Sequence, residues 1–124
     1  MNHQSFSPEH RLHRTAEYDK VFARRSSAAD GWLVVYGCEN SLAHPRLGLV
    51  VSAKTGGAVA RNRWKRLLRE AFRLERSCLP TGLDLVVIPR RTAGEPELTS
   101  LRESLRQLSR QVARKLERKK PCTH

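Results

Sequence analysis

Arg61, Lys65, Arg69 and Arg73 follow one another at four-residue steps. In a helix this spacing stacks like charges on one face, and each neighbouring pair repels by about 0.2–0.5 kcal/mol. A face that tolerates such repulsion is suited to a negatively charged partner. Asn62, Arg63 and Arg66 widen the same stretch, and Lys54 stands just before it. A guanidinium can donate to two oxygens at once, so a run rich in arginine suits phosphate groups. The start of the helix adds unsatisfied N–H groups and positive potential beside Arg61 and Arg63. The plainer alternative is a face that is merely solvated. Solvated faces usually mix signs, because mixing yields favourable pairs. Between Arg61 and Arg76 only Glu70 and Glu75 dilute the basic residues.

Other chemistry finds little support. Cys38, Cys78 and Cys122 are odd in number, far apart and free of any CxxC pairing. That pattern points to a reducing compartment, the cytoplasm, and away from a disulfide scaffold or a zinc site. His10 and His13 are three apart, yet no neighbouring residue completes a metal-ligand set. Asp30, Asp84 and the glutamates form no motif that would hold a catalytic metal or act as an acid–base pair. The chain has 24 Lys plus Arg against 12 Asp plus Glu, a net charge of +12. Such an excess implies a polyanionic partner. No segment approaches the roughly 18 apolar residues of a membrane span, and the first residues lack the apolar stretch of a secretory signal. A membrane-surface role is disfavoured, since Trp64 and the leucines opposite the basic face are needed for a core. At 124 residues, one domain spanning 1–124 is expected, with an ordered core of about 10–116 and polar tails.

The basic stretch needs elements to hold it. Thr15 is placed as the N-cap of a short helix from about Ala16 to Ala23, with Tyr18, Val21 and Phe22 on one side. RRSSAADG reads as a turn region. Trp32–Gly37, Arg46–Ser52 and Leu83–Pro89 are short, β-branched and bounded by breakers, hence strands. The first two could pair antiparallel. The basic helix joins the second to the third, giving a strand–helix–strand unit. On its wheel Ala60, Trp64, Leu67, Leu68, Ala71 and Leu74 form the apolar arc, and Phe72 falls on the charged side. Gly56 and Gly57 permit a tight turn before it. A last helix runs from about Glu97 to Leu116. Its apolar stripe is bordered by Arg102, Arg106, Arg110, Arg114 and Arg118. That border is a second contact surface or a solvated one.

RLGLVVSAKTGGAVARNRWKRLLREAF resembles the signature of the bacterial ribonuclease P protein subunit, in which a strand and a glycine-containing turn lead into a helix opening Arg-Asn-Arg. HRLHRTAEYDKVF is similar to the family's N-terminal segment, and LDLVVIPRR to its last strand. The chain departs from the family pattern at Gly57, where Asn is usual, and at Ala53-Lys54, where two lysines are frequent. The resemblance implies an α+β fold, an α/β sandwich with a four-stranded sheet in the order αβββαβα. It also implies a fourth strand near RRSSAAD and a left-handed crossover around the basic helix. It further implies an RNA-binding subunit that assists a catalytic RNA, with Mg²⁺, in removing the 5′ leader of precursor tRNA, with no further protein partner required. The residues expected against the RNA core are Lys54, Arg61, Asn62, Arg63, Lys65, Arg66, Arg69 and Arg73. Tyr18, Phe22 and Tyr36 are expected to face the leader. Tyr18 and Phe22 are four apart and share a helical face, and aromatic rings stack on any unpaired base. On residue pattern alone, a non-catalytic RNA chaperone or ribosomal-type protein would share the basic face but need no leader cleft.

Overall fold

The computed structural model describes residues 8–90 and 95–119. Helix α1 spans Thr15–Arg24, strand β1 Ser27–Ala29, β2 Leu33–Glu39 and β3 Arg46–Leu49. Helix α2 spans Ala58–Glu75, β4 Leu83–Pro89 and α3 Leu98–Arg118. The order is αβββαβα, as the resemblance implied, and β1 lies within the segment read unaided as a turn. Ser-Ala-Ala is too short and too weak in β-propensity to announce itself.

The four strands form one mixed sheet in the order β1-β2-β4-β3. The expected antiparallel pair of β2 with β3 does not form. β4 inserts between them, antiparallel to β2 and parallel to β3. β4 carries the sign of this place, since six of its seven residues are buried. A strand covered on both faces reads as a near-continuous apolar run.

The sheet separates two cores. Leu33, Val35, Leu85 and Val87 point to the face covered by α2 and α3, joined there by Trp64, Leu68, Phe72, Leu101, Leu105 and Leu108. Cys38 and Val86 point the other way and meet Leu12 and Val21 beside α1. Leu12 is buried and its N–H donates to the Leu47 carbonyl. Arg11 and Leu12 thus seat this segment on β3, whereas residues 1–7 and 120–124 lie outside the described residues, as does most of the expected loop after Pro89.

Two local expectations need correction. Thr15 is the first helical residue, and Arg14 is the N-cap of α1. Glu17 reaches back to accept from the N–H groups of His13 at 2.7 Å and Arg14 at 3.1 Å. Phe72 is fully buried. The inward arc of α2 runs through Trp64, Leu68, Ala71, Phe72 and Glu75. The helix is thus turned by roughly 50°, half a residue step, from the wheel drawn on its leucines. Leu67 and Leu74 are left at the half-buried edge. The cause is α3, which packs against the Phe72 side and offers Glu75 two arginines.

Candidate nucleic-acid interface

The turn that launches α2 begins at Ser52, whose Oγ accepts from the Lys54 N–H at 3.3 Å. Gly56 has φ of 147°, a conformation that side chains with a Cβ rarely adopt. Gly57 is the N-cap and supplies no side-chain acceptor. The first-turn N–H groups therefore remain available to an anion. Lys54 is exposed on this turn.

Along α2, Asn62, Arg63 and Arg66 are exposed, and Arg61, Lys65, Arg69 and Arg73 are half-buried. Arg73 forks onto Glu70, with contacts of 3.0 and 2.6 Å. Arg63 lies 3.6 Å from Glu95, both well exposed, a pairing worth at most about 1 kcal/mol. Arg61, Lys65, Arg66 and Arg69 form no ion pair with any described residue. Nε of Arg61 is buried without an acceptor among the described residues. Such an orphan donor calls for an explanation, and a phosphate oxygen at the start of α2 would supply its partner.

Glu75 does not dilute this face. It points inward, with its side chain 3% exposed, and accepts from Arg102 Nε at 2.7 Å and Arg106 Nη1 at 3.0 Å. Burial pushes its carboxyl up, but the two arginine hydrogen bonds outweigh this and hold it below the ordinary carboxylate range. Two of the five α3 border arginines are thereby committed to packing α3 on α2. Arg110, Arg114 and Arg118 stay exposed.

On the opposite side of the sheet, Tyr18, Phe22 and Tyr36 come together. All three are half-buried and pack on Val86 and Cys38, with Val50 and Ile88 alongside. The rings of Phe22 and Tyr36 meet edge to face, 4.9 Å between centroids. Tyr18 lies over Gly48, where an added Cβ would stand 2.7 Å from the ring. Gly48 is therefore the seat of Tyr18, a role its place in RLGLVV did not disclose. The face is covered by one ten-residue helix, against two longer helices on the other side. A half-buried aromatic surface results.

Two carboxylates near these surfaces, Glu17 and Asp84, are engaged. Glu17 is held below its ordinary value by the N–H groups of His13 and Arg14 and then by Arg46. Asp84 is buried under a two-pronged contact from Arg46 at 2.9 and 2.8 Å. Burial raises the Cys38 thiol, which disfavours the thiolate. Among the described residues no group of three or more His, Cys, Asp or Glu is placed to hold a metal ion. His10 instead stacks edge-on against His44, 4.7 Å between centroids.

Comparison with known proteins agrees with this architecture. The Ribonuclease P family model matches residues 6–113. The ribonuclease P protein component of Brevibacillus brevis is 43% identical over 97 residues, covering 77% of each chain. That of Pseudomonas putida is 42% identical over 102 residues, covering 81% of this chain and 76% of the relative. The solved structure of the RNase P protein from Thermotoga maritima superposes with a TM-score of 0.73 at 35% identity, over 81% of this chain and 96% of that one. The Staphylococcus aureus RNase P protein gives 0.70 at 32% identity, over 88% and 95%. With sequence and fold in accord over most of the chain, the protein belongs to the ribonuclease P protein family.

Proposed function

We propose that this protein component of ribonuclease P grips the catalytic RNA with the outer face of α2 and holds the single-stranded 5′ leader of precursor tRNA in the aromatic cleft. The observation that carries the reading is a division of labour across the sheet. Four cations without an acidic partner among the described residues, Arg61, Lys65, Arg66 and Arg69, lie on the α2 side. Half-buried aromatic rings lie on the α1 side. The first suits a folded polyanion, whose phosphates are met by guanidinium and ammonium groups. Asn62 and Lys54 extend this face, and Arg63 joins it once its weak contact with Glu95 yields. Arg73, already held by Glu70, is a weaker member.

The second surface suits unpaired nucleotides. Stacking contributes about 1–3 kcal/mol per base and tolerates any base, which suits leaders of varied sequence. In this reading the protein positions substrate, and the RNA carries the hydrolysis. The Mg²⁺ that accompanies that chemistry has no ligand set among the described residues, so no step is assigned to it in the protein.

Phe22→Ala tests the cleft. With the holoenzyme reassembled, precursor tRNA is expected to bind roughly tenfold more weakly, one stacked base being lost. Mature tRNA, which lacks a leader, is expected to bind as before. Equal losses for both RNAs, or no loss for either, would remove the cleft from the proposal.

A further inference from the structure

Arg46 and Asp84 are register partners across the parallel pair β3–β4. Asp84 is a buried acid in an otherwise apolar strand, its side chain 4% exposed. Arg46 spans it with Nε and Nη2, and Asn40 Nδ2 donates to it at 2.7 Å. The remaining prong, Nη1, reaches Glu17 Oε2 on α1 at 3.2 Å. The other oxygen of Glu17 closes the start of α1 through the N–H groups of His13 and Arg14. One carboxylate therefore both caps the helix and ties it to the sheet.

The aromatic residues depend on this tie. Tyr18 follows Glu17 directly, and its ring lies over Gly48, two residues along β3 from Arg46. Phe22 stands one turn further on and meets Tyr36. At its far end α1 is held by Arg24, which forks onto Glu39 of β2 with two contacts of 3.0 Å, and by Lys119, whose Nζ donates to the carbonyls of Arg24 at 2.6 Å and Arg25 at 3.0 Å. Between the two ends a single side chain of α1, Val21, is fully buried. Together with the half-buried Tyr18 and Phe22 it forms a non-directional apolar contact, which by itself fixes only weakly how far the helix slides along the sheet. Directional polar contacts do so better, because displacement breaks several charge-assisted hydrogen bonds together.

We infer that the Arg46–Asp84–Glu17 network is a positioning device for precursor recognition, registering α1 on the sheet so that Tyr18, Phe22 and Tyr36 keep the spacing of a nucleotide-binding cleft. The inference rests on the reading of that cleft as the leader site.

Glu17→Gln keeps an oxygen for the helix-start N–H groups but removes the charge facing Arg46. Arg46→Lys keeps the charge but loses the fork. Each variant is assembled with a bacterial ribonuclease P RNA, and the dissociation constants of one tRNA with and without its leader are compared. Both variants are expected to weaken precursor binding roughly fivefold, near the low end of couplings within one polar network. Mature tRNA affinity should stay unchanged. The double variant should lose little more than the singles, since both act on one tie. An unchanged precursor-to-mature ratio in folded variants would overturn the inference, as would equal weakening of both RNAs, the mark of a merely structural role. Phe22→Ala in the same assay separates the failures. If it raises the ratio of precursor to mature dissociation constants while the network variants do not, only the positioning role is wrong. If Phe22→Ala leaves the ratio intact, the cleft reading fails and the positioning role falls with it.

Discussion

Replacing Arg61, Lys65 and Arg69 together with alanine is expected to weaken binding of the partner RNA by on the order of 100-fold at moderate salt, through loss of three phosphate contacts. The clearer signature is the salt dependence. Each contact contributes about 0.9 to the slope of log affinity against log salt on a duplex and about 0.7 on a single strand, so the triple variant should lose between about 2 and 3 from that slope. The fold should not suffer. The three side chains repel one another along α2, and none is paired with a described acidic residue. Alanine is also the better helix former. Thermal stability is therefore expected to hold or rise slightly while affinity collapses. An unchanged slope would mean that the face is only solvated.

Phe72→Ala should have the opposite profile. Phe72 has no exposed surface and is the largest fully buried side chain of the core under α2 and α3. Truncation of such a phenylalanine costs about 3–5 kcal/mol, from lost burial and the cavity left behind. That is a large share of the roughly 5–15 kcal/mol that holds a typical domain folded. Denaturant unfolding should show a much lower midpoint. The salt slope for RNA binding by the folded fraction should be unaltered. A loss below about 1 kcal/mol would place Phe72 at a surface, as the helical wheel suggested.

These four residues show where the sequence was readable. The charged face of α2 could be read because periodicity puts Arg61, Lys65 and Arg69 side by side in any helix. The exact rotation of that helix could not, because Phe72 and Glu75 turn inward only when α3 arrives with Arg102 and Arg106. The strands were legible one by one from their β-branched runs. Their order was not, since pairing of β4 between β2 and β3 is a non-local choice. The apolar run of β4 was an available clue to its central place. β1 was visible only through resemblance, because three small residues make no pattern of their own. Tyr18 and Phe22 could be grouped by their spacing. Their closeness to Tyr36 came from the fold, and Gly48 and Arg46 gained meaning only once α1 was seen lying across β3. Asp84 carried a local warning, an acid in a buried strand, that did not name its partner.

The most direct test of the central claim is reconstitution. The purified protein is combined with a bacterial ribonuclease P RNA and a precursor tRNA, at a Mg²⁺ concentration chosen so that the RNA alone does not cleave. Release of the intact 5′ leader only when protein and RNA are both present is the predicted result. Binding of the protein to the RNA without any leader release would contradict the account and leave a general RNA-binding protein in its place.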